Sequence, residues 1–326
     1  MVFLKGALGR NISKIIYLSL VIMALICAFP LFVDVERSYP IYFLYYIFMY
    51  IAISQSWNMV SGFAGQFSLG HSVFFGIGAY VTALSYSRGL IGYFDFRSFL
   101  LGPVVSAIIA IVVGYPLLGR LKGLYFALGT LGLNEVVKQL IIVNGEYTGG
   151  ATGVQLPSSV YAGFMPYYYT ALIIMILSSL LAIIVSKVKI GLNFRAIRDD
   201  EIAAESVGIP TLHYKILAFS LSAIFPAACG VLYAYNIFHV QPDSAFSMNW
   251  SLDPALMTML GGVGTIFGPI IGSIIYGLII QLISLYFPTI HPLISGLLLI
   301  LVVIAMPKGI VDVIDRARHK FSGRSY

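Results

Sequence analysis

Long runs of apolar residues, separated by short polar segments, make up most of this 326-residue chain. About ten of these runs approach the length of roughly 20 residues that a helix needs to cross a bilayer. Helices are predicted because, in lipid, a helix satisfies its own backbone hydrogen bonds. The predicted spans are 15–33, 41–60, 72–86, 99–118, 124–143, 166–186, 215–238, 254–267, 270–287 and 292–306.

Composition supports this pattern, because 59% of the residues are hydrophobic and only 10% are charged. That is more apolar surface than a soluble core of this length could hide. The sequence therefore predicts an all-α polytopic membrane protein, with a single transmembrane domain over residues 1–326.

The net charge of +6 follows the predicted spans and does not indicate nucleic-acid binding. With both termini in the cytoplasm, fifteen Lys and Arg residues fall inside and only Arg37, Arg88 and Arg97 fall outside, as the positive-inside rule expects. The segments 144–165 and 239–252 contain no Lys or Arg and are predicted to lie outside.

A division near residue 165 gives two halves of five spans that start on opposite sides of the membrane, as in transporters built from inverted repeats. Two glycine-rich segments, 61–71 and 261–269, interrupt the apolar pattern, although they do not occupy equivalent places in the two halves. Glycine permits close helix packing and also broken helices that line a pathway. On the second interpretation, the path residues are Gly62, Gly65, Gln66, Ser68, Gly70, His71, Gly261, Gly262, Gly264 and Thr265.

The largest predicted cytoplasmic insertion, 187–214, contains a dense group of charges. Asp199, Asp200 and Glu201 place negative charge where the dipole of a following helix favours it. Two alanines follow, and Gly208 supplies a stop signal. The pattern predicts a short helix with a face of small residues, which is either a solvated loop helix or a docking site for a partner protein.

Catalytic motifs are absent from the sequence, which contains no phosphate-binding loop, no H-E-x-x-H, no C-x-x-C and no nucleophile elbow. We therefore expect a protein that is not an enzyme, that carries no cofactor or metal and that does not hydrolyse ATP by itself.

Polar residues inside the predicted spans form a second group of candidates. Glu135 and Lys138 are three residues apart on one helix face, so that an ion pair is expected, with either a functional or a structural role. Ser54, Gln55 and Asn58 are expected to form hydrogen bonds between helices.

Tyrosines cluster near the predicted ends of two spans, at 45–46 and at 167–169. Tyr is enriched at membrane–water interfaces, where its ring and hydroxyl meet different environments. The clusters are predicted to be interfacial belts.

Several ordered motifs together carry a resemblance to a known family. They are SGFAGQFSLGHSVFFGIGAY (61–80), LKGLYFALGTLGLNE (121–135), TGGATGV (148–154), RAIRDDEIAAESVGI (195–209), PDSAFS (242–247), LGGVGTIFGP (260–269) and PKGI (307–310). With these motifs, the chain resembles the LivM-type permeases of ABC importers for branched-chain amino acids. The resemblance extends from about residue 50 to Gly309.

The resemblance implies that 187–214 is a coupling loop that contacts an ATPase. Ala203, Ala204 and Gly208 match the E-A-A-x-x-x-G pattern of ABC importers, but Ile202 stands in place of its Glu. Which nearby acid contacts the ATPase is left open. The implied coupling residues are Arg195, Arg198, Asp199, Asp200, Glu201, Ala203, Ala204, Glu205 and Gly208.

The resemblance also implies partners and a place in the cell. They are a second, LivH-like permease, two cytoplasmic ATPases that bind ATP, and an external substrate-binding protein, all at the cytoplasmic (inner) membrane of a prokaryote. A basic tail, 307–326, would lie in the cytoplasm.

The implied substrates are leucine, isoleucine and valine. We expect their path to present backbone dipoles, because a fixed carboxylate would hold an ammonium group too tightly for release. A urea or short-chain amide importer is the alternative within the class. An ion-coupled secondary transporter and a passive channel are alternatives outside it, and neither needs a coupling helix.

Overall fold

The computed structural model describes residues 25–33, 38–157, 161, 163–286, 297 and 309–311. Most of these residues are helical, with one two-stranded antiparallel sheet. The helices are α1 (Tyr39–Trp57), α2 (His71–Ser87), α3 (Phe96–Arg120), α4 (Leu124–Val143), α5 (Gly145–Thr148), α6 (Met165–Lys187), α7 (Lys189–Asp199), α8 (Glu201–Ser206), α9 (Thr211–Ile237), α10 (Pro242–Ala245), α11 (Asn249–Gly261) and α12 (Gly268–Tyr286). A π-helix, Asn58–Phe63, continues α1, two short 3-10 turns occupy Phe29–Leu31 and Gly150–Thr152, and the strands are β1 (Val154–Gln155) and β2 (His239–Val240).

The all-α prediction is confirmed for the described part of the chain. Four described helices, α3, α4, α6 and α9, are long and apolar enough to cross a membrane. Most of the tenth predicted span, residues 1–24 of the chain and most of the tail at 307–326 lie outside the described residues. The count of ten spans and the side on which the termini lie therefore stay predictions.

The predicted span 254–267 is wrong in its bounds. The helix α11 starts earlier, at Asn249, and ends at Gly261. The chain cannot continue as a helix there because Gly262 and Gly264 have φ of +134° and +76°. Residues 262–267 form the turn into α12.

Two helices in the body are shorter than a bilayer core of about 30 Å. With 17 residues in α2 and 13 in α11, they are roughly 26 Å and 20 Å long. Each follows a long helix and a connecting segment: 64–70 precedes α2, and 238–248, which contains β2 and α10, precedes α11. Their first turns meet, since the Ser72 backbone N–H donates to Ser251 Oγ at 2.7 Å. The same order of elements therefore occurs twice along the chain, while the predicted organisation in two inverted halves stays a prediction.

The polar segments collect at two ends of the helical body. At one end, which we call the coupling end, α7 and α8 lie beside the α3–α4 turn, where Lys122 Nζ is 3.5 Å from Glu201. At the other, the strand end, β1 pairs with β2 through Val154–Val240. The pairing agrees with the prediction that 144–165 and 239–252 lie on the same side of the membrane.

The core is built around α9. In its most apolar stretch 78% of the residues are buried, against 22–33% in α3, α4 and α6. Aromatic rings fill the space between α9, α2 and α11, where Phe75 stacks on Trp250 at a centroid distance of 4.0 Å. α3, α4 and α6 therefore expose apolar faces at the periphery, as expected of helices that contact lipid or another subunit.

Candidate functional site

The charged segment at the coupling end folds into two helices, α7 and α8, where a single helix was predicted. Asp199 is the last residue of α7, and Asp200 caps α8 by accepting from the N–H groups of Ile202 (2.9 Å) and Ala203 (3.0 Å). The separation arises at Asp200, whose φ of −159° and ψ of 108° are extended. The prediction that three successive acids begin one helix is therefore wrong for Asp199.

The predicted stop at Gly208 is confirmed. Its φ is +86°, its N–H donates to the Glu205 carbonyl at 2.9 Å, and Ile209 N–H donates to the Ala204 carbonyl at 3.1 Å. These paired bonds form a Schellman motif, in which glycine is favoured because the left-handed conformation has no Cβ penalty. An added Cβ at Gly208 would meet nothing within 4 Å.

The predicted small-residue face of α8 is divided between two sides of the helix. Ala204 is buried against the body with 3% exposure, whereas Ala203 faces outwards. Adjacent helical residues point about 100° apart, so the two alanines cannot share one face. The exposed face instead carries Ile202 and Val207, each 76% exposed.

The acids of α8 have different partners. Glu201 accepts from Lys215 Nζ at 2.8 Å, and Lys215, only 2% exposed, also donates to the Leu118 carbonyl at 3.4 Å. Burial alone would raise the pKa of Glu201, but the hydrogen bond and charge of Lys215, together with Lys122, hold that pKa below its usual value. Glu201 thus anchors α8 to the body. Glu205 is exposed and accepts from Thr211 Oγ1 at 2.6 Å.

Two arginines attach α7 to the membrane helices. Arg195 donates to the carbonyl of Ser186 at the end of α6. Arg198 donates from Nη1 to the Gly62 carbonyl at 3.0 Å and from Nη2 to Asp199 Oδ1 at 3.0 Å. Arg198 therefore joins the coupling segment to the π-helix at the end of α1.

Glycines from both predicted path segments surround Arg198. A Cβ at Gly264 would lie 2.8 Å from Arg198 Nη1, and a Cβ at Gly65 would lie 2.8 Å from Arg198 Cγ. A Cβ at Gly62 would lie 2.8 Å from the Gly264 backbone nitrogen. We call the set Gly62, Gly65, Arg198 and Gly264 the Arg198 junction.

The polar face of α1 holds the 262–267 turn in this junction. Asn58 donates to the Thr265 carbonyl and accepts from Gly264 N–H, both at 2.8 Å, while Gln55 donates to the Ile266 carbonyl at 2.8 Å. The predicted interhelical hydrogen bonding is confirmed for Ser54, whose Oγ accepts from Ser273 Oγ of α12 at 3.2 Å, whereas Gln55 and Asn58 bind the turn between α11 and α12.

The other predicted path residues lie at the two breaks in the helices. Ser68 is fully buried, and its carbonyl accepts from Trp57 Nε1 at 2.9 Å. His71 is fully buried, and Gln66, 8% exposed, donates to the Ala64 carbonyl at 3.3 Å. Gly70 packs against Thr130, and Gly261 and Gly262 pack against Gly268. That these residues line a path stays a prediction.

Glu135 and Lys138 approach each other to 3.2 Å between Oε2 and Nζ. Lys138 Nζ is also 3.6 Å from Oδ1 of Asp243, in α10. The side chains of Glu135 and Asp243 are 54% and 84% exposed, so the group faces outwards from the helical body. α10 was not foreseen as a partner of this pair.

Sequence reasoning missed Asp253, which lies inside the helical body between α1 and α12. The residue adjoins the predicted start of a span at 254, so an acid at the edge of an apolar run was the available signal. It also misjudged two tyrosine groups. Tyr45, Tyr167 and Tyr168 are at most 1% exposed and are core residues, so they are not part of an interfacial belt.

Comparison with known protein families identifies one family that matches this chain. Residues 39–304 match the family described as branched-chain amino acid transport system / permease component. The high-affinity branched-chain amino acid transport system permease protein LivM of Salmonella typhimurium is 30% identical over 292 residues, which cover 81% of this chain and 68% of that protein. The Escherichia coli protein of the same name is 29% identical over 292 residues, with the same coverage.

A shorter match is found to a permease with another named cargo. The autoinducer 2 import system permease protein LsrC of Yersinia enterocolitica is 27% identical over 162 residues, which cover 47% of this chain and 43% of that protein. No solved structure matches the chain.

Proposed function

Since this chain belongs to the family of branched-chain amino acid transport system permease components, we propose that it is the membrane-spanning subunit of an ATP-driven importer of branched-chain amino acids. The similarity to LivM over 81% of the chain supports this substrate class. The match to LsrC covers less than half of the chain, so it supports the importer class more than another cargo.

The Arg198 junction is the observation that carries the mechanism. α8 presents Ile202 and Val207 outwards, while Arg198 at the end of α7 holds the Gly62 carbonyl. A displacement of α7 and α8 would therefore act directly on the end of α1 and on the 262–267 turn. Movement of this kind, driven by closure of two ATPases, would exchange access from one side of the membrane for the other.

The partners follow from the family. A second, LivH-like permease would complete the pore, two cytoplasmic ATPases would bind at α8, and an external binding protein would deliver the amino acid at the strand end. The complex would lie in the cytoplasmic (inner) membrane of a prokaryote. In this arrangement the coupling end, with its basic residues, faces the cytoplasm.

The decisive experiment compares the assembled complex with this chain alone in proteoliposomes. We expect the complex to accumulate labelled leucine only with internal ATP and the binding protein. Uptake by this chain alone, driven by a sodium or proton gradient, would indicate a secondary transporter. ATP-driven uptake of urea without uptake of leucine would indicate the amide-importer alternative.

The path is proposed to pass the two broken segments, 61–71 and 261–269. In a chain with Cys27 and Cys229 replaced by Ala, cysteines at Gln66, Ser68 and Thr265 would report access. We expect Thr265→Cys, which is partly exposed, to react with small water-soluble thiol reagents, and the buried Ser68→Cys to react when nucleotide is trapped. If all three stay inert in every nucleotide state, the path lies elsewhere.

A further inference from the structure

A cavity of about 380 Å³ opens between α1, α11 and α12. This volume is within the range of roughly 300–1,000 Å³ that is typical of small-molecule sites. Tyrosines from one face of α1 line it, at positions 39, 42, 46 and 50. Their spacing of three or four residues places the rings on one face of the helix.

Asp253 carries the only formal charge among the described residues that line the cavity. Tyr276 donates to its Oδ1 at 3.0 Å, and Tyr50 donates to its Oδ2 at 3.4 Å. The two phenols come from α12 and α1, so three helices fix the position of one carboxylate. Ionisable residues inside a membrane protein are costly and mark functional sites more often than structural ones.

The cavity is closed towards the coupling end. Met257 forms part of its lining and accepts from Ser54 Oγ at 3.7 Å, and Ser273 donates to Ser54 Oγ at 3.2 Å. Beyond this contact, Gln55 and Asn58 bind the 262–267 turn. A molecule in the cavity would therefore lie on the strand-end side of the closure.

A carboxylate in a cavity lined by tyrosines is suited to a cation that bears apolar groups, because the negative charge and the aromatic rings can both attract it. We propose that this cavity binds the ammonium group of the amino acid in transit, with Asp253 as its counter-charge and the α1 tyrosines around its side chain. The proposal rests on the proposed function and names a contact for the substrate. From the sequence, a fixed carboxylate was expected to hold an ammonium group too tightly for release. The two phenol donors to Asp253 spread its charge, which weakens its hold on an ammonium group and favours release.

The test places a cysteine at Gln281, which lines the cavity, in the assembled complex with Cys27 and Cys229 replaced. A cationic and an anionic methanethiosulfonate reagent of similar size are compared by their reaction rates. We expect Asp253→Asn, whose amide oxygen can accept from one phenol while its NH2 group donates to the other, to lower the cation-to-anion rate ratio about tenfold. Tyr276→Phe, which keeps the charge, and Asp243→Asn, an acid outside the cavity, should change it less than about twofold.

Protection by small molecules then tests the ligand. Leucine and 3-methylbutylamine should slow the labelling, whereas 4-methylpentanoate, which lacks the ammonium group, should not. Asp253→Asn should abolish the protection. Equal protection by 4-methylpentanoate, or full protection in Asp253→Asn, would overturn the proposal and leave Asp253 as an anchor for two tyrosines.

Leucine uptake in the same proteoliposomes separates this proposal from the proposed function. ATP-driven uptake without protection by leucine or the amine would reject the ammonium site and keep the importer. Protection by the amine without any amino-acid uptake would keep the site and reject the importer.

Discussion

The coupling end and the strand end of the α1–α11–α12 group differ in how their polar residues are used. At the coupling end, Asn58 and Arg198 bind backbone groups of the two helix breaks, and glycines leave no space between them. Towards the strand end, the same three helices separate around a cavity lined by tyrosines and Asp253. One end is closed by side chain–backbone bonds, while the other is open.

In the proposed mechanism of alternating access, a group of helices is closed at one end while it is open at the other. The α1–α11–α12 group has this arrangement. A backbone group bound by a side chain is released when that side chain moves away. Arg198 is such a side chain, since it belongs to α7 and binds one backbone group at the end of α1, the Gly62 carbonyl. Variants at the coupling end should therefore change coupling, and variants in the cavity should change substrate contact.

The largest effect is expected for Gly208→Leu, which would change the exposed surface of the coupling end beside α8. A non-glycine residue at φ +86° costs about 1 kcal/mol or more, and a Leu side chain would stand beside the exposed face of α8. We expect ATPase stimulation by the loaded binding protein, and leucine uptake, to be lost while membrane insertion is unchanged.

Gly208→Asn is the matched control, because Asn tolerates the left-handed conformation better than other residues. It should retain most of the uptake. Normal uptake in Gly208→Leu would show that α8 is a solvated loop helix with no partner.

The helices of this fold were predictable because hydrophobic length is a strong signal for a membrane helix. The short helices were harder to delimit. Residues 249–253 of α11 are polar or mixed in character and were placed outside the membrane, yet Ser251 is fully buried against Ser72. A sequence does not distinguish a polar residue that faces another helix from one that faces water.

The local features of the candidate site could be predicted from the sequence, but the contacts between its distant segments could not. The stop at Gly208 and the polar face of α1 follow from local patterns, which the backbone geometry reproduces. The bond from Arg198 to Gly62 joins residues 136 positions apart, and Tyr50 and Asp253 are 203 positions apart. Contacts of this separation depend on helix packing, for which a single sequence carries no direct signal.

The next effect in size is expected for Arg198→Gln. Hydrogen bonds to charged groups contribute about 1.5–3 kcal/mol, which corresponds to roughly 10- to 100-fold in a coupling equilibrium. We expect leucine uptake per ATP hydrolysed to fall by a factor in this range. Arg97→Gln, at an exposed arginine of the strand end, should leave this ratio unchanged. An unchanged ratio in Arg198→Gln would mean that the junction does not transmit the movement.

A smaller effect is expected for Gly264→Ala, with Gly89→Ala as its matched control. Both glycines have positive φ, +76° and +69°, so the backbone cost is similar. Only at Gly264 would the new Cβ meet Arg198 Nη1, and this flexible group would have to leave the Gly62 carbonyl. We expect uptake to fall about tenfold in Gly264→Ala and less than twofold in Gly89→Ala. Equal losses in the two variants would attribute the effect to backbone strain alone.

The smallest effect is expected for Glu135→Gln, and we expect it on assembly of the complex and not on turnover. The pair with Lys138 is partly exposed, and such pairs contribute about 0.2–1 kcal/mol. Lys138 retains Asp243 at 3.6 Å, which limits the loss further. We expect about two- to threefold less assembled complex in a pull-down of the partner subunits, with normal leucine turnover per complex. Asp243→Asn should act in the same direction but less, because its distance is longer and its exposure greater. Normal assembly of Glu135→Gln with loss of transport would instead place this carboxylate on the substrate path.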